Sequence, residues 1–513
     1  MRSGSIPMAF SQHSTGRQLG MAGPGCPSFG CTEPVDGVSS APIAAAMPSP
    51  VGGLIRSLGR SGCQRWLVAV ALWLATSIGA AQAGAETVAP PAPATGALPG
   101  RLPAAVAAAS DPSSQQPLAP AQSWPTLNGL LNPPPWLNLT LSVQGDGLFN
   151  PIGGQVAAGN WIQQTAFDAS VSSGFGKDPS RWREADHWLL HGELTAISGV
   201  AGYGQRIGAT FPLSDLDDPT GLWITEASIE RVGGSGNVDV KAGLLPLNPD
   251  VVQAPVFSSY VNSVFNDTLN LNQPVLPINP YVAPGLVLRW RPAAPDPALP
   301  GDTGAFGEWR YAAYLLRPIN QLSELLGVVP NVPQVDGHSQ LLQWSFDRLP
   351  GARRLAVPIE HRGKALSRLL PPPLLQIGGG YLTDDSSGAV LPLGFSSLTL
   401  APELPIGLDN RIWIGFSGGN EAGGNPVTFY GSGGWLCQGP LAGRPFDVLA
   451  LGYGRSSFNQ QLLAGLRPQS LLELNYSFNL NSSLSVQPVL QWIQAPPGIG
   501  SILALGLQVE LQF

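Results

Sequence analysis

Residues 501–513 read SILALGLQVELQF. Leu503, Leu505, Leu507, Val509, Leu511 and Phe513 are apolar and lie two apart. Ala504, Gly506, Gln508, Glu510 and Gln512 fill the gaps with small or polar side chains. Successive side chains of a strand point to opposite faces, so this run has one apolar and one wet face. In a water-soluble sandwich the apolar face meets a core. In a membrane barrel it meets lipid, and the wet face lines the lumen.

The same alternation recurs upstream. It is legible in WLNLTLSVQG (136–145), QQTAFDASVSS (163–173), HWLLHGELTAIS (187–198), YGQRIGATFPL (203–213) and LWITEASIERV (222–232). It continues in VDVKAGLL, GLVLRWRP, WRYAAYLLRP, LLQIGGGYL, SSLTLAPEL, RIWIGFSGG, FDVLALGYGRS, SLLELNYSFNL and SLSVQPVLQWI. Gly, Pro, Asn and Asp clusters separate these runs and mark turns. There is no sustained helical period and no propeller-type repeat. From Pro134 to Phe513, at roughly 20–24 residues per strand and connection, the chain accommodates about 16–18 strands. The expected fold is all-β: an antiparallel transmembrane β-barrel of about 16 strands over 134–513. Trp136, Trp161, Trp188, Trp223, Trp290, Trp309, Trp413, Trp435 and Trp492 fall near strand ends, where amphipathic rings suit the two interfacial girdles.

The region before the barrel divides by composition. Residues 1–46 are Gly, Ser and Pro rich, without pattern, and read as an upstream extension ahead of the true start at Met47. Residues 47–83 carry Arg56, Arg60 and Arg65, then the apolar run WLVAVALWLATSIGA, then Ala81-Gln82-Ala83. That is the anatomy of a secretory signal peptide. Residues 84–133 are Ala/Pro rich, too poor in large apolar side chains to offset chain entropy, and read as a disordered linker.

The composition narrows the function. The 513 residues carry a formal net charge of −7, and the pI of about 5.3 argues against a nucleic-acid partner. The mean hydropathy is +0.10, yet beyond the signal region no apolar run reaches the ~20 residues of a helical span. Cys26, Cys31 and Cys63 precede the cleavage site, which leaves Cys437 without an intramolecular partner. His187, His191 and Glu193 share one strand face. This fits metal ligation but reads first as a polar lumen row. The acidic stretches Ser214–Asp218 and Asp384-Asp385 read first as turns, with Ca²⁺ binding as the alternative. No phosphate loop or nucleophile elbow is legible, and no cofactor is expected. Glu226, Glu230, Arg289, Arg310, Arg317, Glu473 and Glu510 sit in or at the ends of strands. Facing the lumen, they would set its field and hydrogen-bond a permeant.

Four blocks in order resemble the carbohydrate-selective porin (OprB-type) family. The first is LWITEASIERV with VDVKAGLLPLNPDVVQAPVFSSYVNSVFND, ending in the element Asn262-Ser263-Val264-Phe265. The second is INPYVAPGLVLRWRP with WRYAAYLLRP. The third is GPLAGRPFDVLALGYGRSSFN, with its Gly443-Arg444-Pro445-x-Asp447 element. The fourth is RPQSLLELNYSFNLNSSLSVQPVLQWIQAPPG, with Glu473-x-x-Tyr476 and Gln487-Pro488. The linker and the proline-rich stretch from Asp347 to Pro373 depart from the family pattern. Cyanobacterial members often carry a peptidoglycan-binding domain before the barrel, and none is legible here. The resemblance implies a non-enzymatic outer-membrane porin of a bacterium, cyanobacterial in this reading, for passive entry of small carbohydrates. It implies outer-membrane lipid and the barrel-assembly machinery as partners, the terminal strand ending in Phe513 resembling the insertion signal of such barrels, and it is compatible with a homo-oligomer. Two alternatives stand beside it. One is a channel for inorganic ions or iron and other metal complexes, as cyanobacterial relatives suggest. The other is a barrel enzyme such as a lipase, disfavoured by only five His.

Overall fold

The computed structural model describes residues 118, 120, 124–173, 186–233, 237–266, 276–293, 303–316, 337–352, 355, 357–385, 388–419, 425–463, 465–494 and 499–513. The upstream extension, the signal peptide and Arg317 lie outside the described residues.

Sixteen antiparallel strands close into a barrel. They are β1 (Leu137–Ile152), β2 (Gly159–Ser172), β3 (His187–Gly199), β4 (Gly221–Val232), β5 (Val238–Leu245), β6 (Ala283–Trp290), β7 (Glu308–Leu315) and β8 (His338–Phe346), then β11 (Leu374–Asp384) to β18. The latter run through β12 (Ala389–Leu400), β13 (Asp409–Gly419), β14 (Val427–Gln438), β15 (Val448–Phe458), β16 (Gln469–Asn479), β17 (Leu484–Gln494) and β18 (Ser501–Gln512). Between β8 and β11 a small hairpin, β9 (Ile359–His361) and β10 (Lys364–Leu366), stands apart from the wall. Each barrel strand pairs with its sequence neighbour, and β1 closes on β18 from Ser142↔Gln512 to Ile152↔Leu503. Leu141 and Phe513 complete the seam by exchanging backbone hydrogen bonds of 2.8 and 3.3 Å. Closure removes the unpaired edge that hydrocarbon cannot solvate.

Alternation sorts the two faces as the terminal strand predicts. Leu505 and Leu507 are exposed, whereas Ile502, Ala504 and Gln508 are buried. Outward Phe167, Leu190, Ile229, Leu288, Leu342, Ile377, Ile414, Phe416, Leu451 and Leu474 extend this apolar band around the wall. Trp136, Trp161, Trp188, Trp290, Trp309 and Trp492 are exposed on it, the setting an interfacial girdle provides. Trp223 and Trp413 are buried and belong to the interior instead. They sit on the inward parity of their strands, where neighbouring Ile and Leu on both faces hide the phase.

The interior holds a hydrophobic core because two connections fold inward. Residues 200–220 bring inward a short helix over Tyr203–Ile207, together with buried Phe211, Leu213 and Leu216. The alternation in 203–213 therefore belongs to an infolded connection rather than a strand; its helix is flanked by left-handed Gly202 and Gly208. Residues 246–266 and 276–282 form the larger infolded part, with Val251, Val252, Val256, Phe257, Tyr260, Val261, Val264 and Phe265 all buried. Their packing explains two strands that the sequence pattern misses. In β8, inward Leu341 meets the infolded residues while Leu342 faces out, so the apolar doublet breaks alternation. In β14, glycines interrupt the pattern.

The end of the segment read as a linker is packed on the barrel. Thr126 caps a helical turn at Leu127–Leu131, Asn128 bonds Asn138 and the Leu139 amide, and Trp124 stacks on Phe513 with centroids 5.7 Å apart. Leu118 pairs in parallel with Leu366 of the β9–β10 hairpin.

Candidate functional site

The inner wall carries a dense cluster of both charges on one side and mainly amides and hydroxyls on the other. Strands β5 to β7 bring Asp239, Lys241, Arg289, Glu308 and Arg310 to the inward parity beside Glu230 of β4, with register pairs Glu230↔Lys241, Asp239↔Arg289 and Arg289↔Arg310. Two arginines directly opposite would repel. Glu308 separates them, 3.7 Å from Arg289 and hydrogen-bonded by Arg310. Arg291 reaches the same carboxylate at 2.6 Å and Asp239 at 3.4 Å. Lys241 lies 2.9 Å from Glu226 and 3.1 Å from Asp250, and Arg289 lies 3.7 Å from Glu230.

A β-bulge aims Glu226 into this cluster. Glu193 pairs with Glu226 but Leu194 pairs with Ile224, so Thr225 is the extra residue and both Thr225 and Glu226 turn inward. The opposed carboxylates of Glu193 and Glu226 are relieved separately, Glu193 by the Thr225 hydroxyl at 2.6 Å and Glu226 by Lys241 and Ser228. His187, His191 and Glu193 do share the inward face. The two ring nitrogens of His191 lie 3.2 Å from Ser170 and 3.2 Å from Glu230. Of the acidic stretch at 214–218, Asp217 accepts from the amides of Gly202 and Gly204, a loop-closing role. Burial raises its carboxyl above the usual range despite these bonds.

Across the seam the wall is mostly amides and hydroxyls, with the inward carboxylates of Asp146, bonded by Ser214, and Asp168, bonded by Ser170, among them. Inward Asn138, Thr140, Ser142 and Gln144 of β1, Gln164 of β2 and Gln512 of β18 are half-buried amides and hydroxyls. Glu510 joins them, opposite Gln144 and 3.4 Å from Ser485. Such a strip offers donors and acceptors to a neutral polyol, while the facing cluster offers paired charge.

Residues 246–266 run between these walls and are held to both. On the charged wall, Arg310 donates to the Asp250 carbonyl at 2.6 Å, and the Asp250 carboxylate takes Lys241 and Arg289. Burial alone would raise that carboxyl, but Lys241, then Arg289 and Arg310, hold it below its ordinary value. On the far wall Glu473 of β16 is fully buried. It accepts from the Val261 and Asn262 amides at 2.8 and 2.9 Å, from Asn475 at 2.7 Å and from Gln491 at 3.2 Å. Of the residues the sequence marks as lining candidates, Glu226, Glu230, Arg289, Arg310 and Glu510 therefore stand on the inward face, and Glu473 is covered by the loop it binds. Sequence reasoning overlooks Lys241, Asp239, Asp250 and Glu308. The signal for them is the parity of each strand's inward positions, read across neighbouring strands.

The remaining motifs resolve into joints. Asn262 caps the turn at Ser263–Asn266 through the Val264 amide at 3.0 Å and bonds Gln491 at 3.0 Å. Arg444 grips Asp447 with two bonds of 2.7 and 3.0 Å. Asp447 also takes the Tyr476 hydroxyl and the Asn479 amide, tying the β14–β15 turn to β16. The proline-rich stretch 347–373 is held by Arg411, fully buried, which bonds the carbonyls of Leu370 and Pro371 and lies 2.9 Å from Asp409.

Comparison with known proteins places this geometry. The family model "Carbohydrate-selective porin, OprB family" matches residues 410–513, from β13 to the carboxy-terminus. The resemblance read from the sequence is borne out there. A high-pH structure of Pseudomonas putida OprB is similar at TM-score 0.56 and 16% identity, covering 75% of this chain and 95% of that one. A low-pH structure of the same protein aligns at TM-score 0.44 and 15% identity, over 77% of this chain and 100% of that one. A mutant of Rh. blastica porin aligns at TM-score 0.39 and 9% identity, over 74% of this chain and 100% of that one. No curated protein matches the chain. The likeness at TM-score 0.56 shows the fold, a closed barrel like that of Pseudomonas putida OprB.

Proposed function

We propose that this chain is a porin through which small carbohydrates diffuse passively across a bacterial outer membrane. The observation that carries the reading is the carbohydrate-selective porin match on residues 410–513. The half-buried amide and hydroxyl strip of β1, β2 and β18 supports it, because neutral sugars bind through many uncharged hydrogen bonds. In this reading Glu226, Glu230, Arg289, Arg310 and Glu510 border the path, Arg317 is assigned to it from sequence alone, and Glu473 acts on it through the loop. Diffusion needs no energy source and no catalytic group. Residues 47–83 export the chain, 84–133 link to the barrel domain at 134–513, and 1–46 lie upstream of the start. The assembly machinery recognises the terminal strand, and small sugars and lipid are its partners in the membrane.

Liposome swelling with neutral sugars of rising size tests the proposal. Swelling that falls with sugar size supports it. Liposomes that conduct ions yet fail to swell in any sugar would refute it. They would favour the second reading, an ion or metal-complex channel, which the charged cluster around Arg289 and Lys241 recommends.

A further inference from the structure

The far-wall contacts of residues 246–266 form a built joint. Beyond the four donors to Glu473, the Tyr260 hydroxyl donates to the Leu451 carbonyl at 3.0 Å and accepts from the Trp413 indole at 2.8 Å. Tyr430 donates to the Val264 carbonyl at 2.8 Å. Tyr260, Phe265 and Phe257 pack around Trp413 with centroids 5.2 to 6.2 Å away. The wall beneath is carved for them. A Cβ on inward Gly434 would lie 2.4 Å from the Tyr260 hydroxyl, and one on Gly452 would lie 2.7 Å from its ring. Glycine inside a strand is unfavourable unless something must approach closely, and here a ring does.

We infer that Glu473 and the glycine socket at Gly434 and Gly452 latch residues 246–266 against the inner wall, so that Glu473 is the positioning residue that sets the size limit for permeant sugars. Four N–H donors converge on one carboxylate. A neutral amide there would present its own N–H₂ to donors and break the set. The Asn262-Ser263-Val264-Phe265 element is the loop's half of the latch: Asn262 shapes the turn whose amides meet Glu473, and Phe265 enters the aromatic cluster. The inference rests on the porin reading.

The test compares full-length wild type with Glu473→Gln and Gly452→Val, each purified from outer membranes and checked for heat-modifiable mobility. Releasing the loop by either route should raise single-channel conductance about twofold or more, as the open cross-section widens, and admit sugars larger than the wild-type limit. Glu473→Asp, which keeps the charge, should lie between wild type and Glu473→Gln. Assembled variants with wild-type conductance and sugar limit would overturn the latch. So would failure of both to assemble, since the contacts would then serve barrel formation. Failure of wild type itself to pass sugar would count against the porin reading, a result separate from either.

Discussion

Lys241→Met and Glu226→Gln should move ion selectivity in opposite directions by similar amounts. The two groups are 2.9 Å apart and nearly buried, with side-chain exposures of 13% and 16%. Removing Lys241 leaves the Glu226 carboxylate without its cation and Asp250 with Arg289 alone, and makes the wall one charge more negative. Removing the Glu226 charge makes it one charge more positive. For a permeant ion passing about 4–6 Å away through water, one unit charge is worth about 0.7–1 kcal/mol. The cation gains what the anion loses, so the cation-to-anion permeability ratio should change by about ten- to thirtyfold at low salt. The Debye length falls from about 10 Å at 0.1 M to about 3 Å at 1 M, so the effect should shrink at high salt. Reversal potentials across planar bilayers under a KCl gradient measure it directly. Lys241→Met should favour cations, and Glu226→Gln should favour anions relative to wild type. Lys241→Met should also cost about 3–5 kcal/mol of stability, the usual cost of leaving buried partners unpaired. Shifts of the same sign, or shifts undiminished at 1 M salt, would refute the placement of this pair beside the ion path.

Other outcomes follow from the same contacts. Arg411→Met should cost about 3–5 kcal/mol and raise hydrogen exchange across 359–371 ahead of the barrel strands; unchanged protection there would show that Arg411 does not hold that stretch. Asp250, held below the ordinary carboxyl range, contributes stability above about pH 3.8 that is lost as pH falls through its lower folded value. Proteolysis of residues 246–266 should therefore increase only in strong acid, and Asp250→Asn should abolish that acid dependence. Phe513→Asp should reduce outer-membrane yield, because Phe513 closes the seam with Leu141 and stacks on Trp124. Glu510→Gln should assemble normally, and the reverse pattern in yield would mean that the two faces of β18 are misassigned.

The period-two alternation of 501–513 and its recurrence upstream were enough to read a barrel and which parity faces outward, while the strand number of about 16 came from chain length alone. The first two depend on neighbours two residues apart, so they are local and legible. The places where the reading failed share one cause. At Leu341-Leu342, at Ile412-Trp413-Ile414 and along the glycines of β14, the inner face is covered by protein instead of water, and the polar half of the alternation disappears. In 203–213 a connection that folds into the mouth carries the apolar spacing of a strand. The site divides the same way. Parity alone puts Glu226, Arg289, Arg310 and Glu510 on the inner face, apart from the one-residue bulge at Thr225 that rescues Glu226. Only the closed barrel brings Asp250 to Lys241, or lays Val261 and Asn262 on Glu473 more than two hundred positions away. Such contacts depend on strand register and on the path of a long connection, and no short-range pattern encodes either.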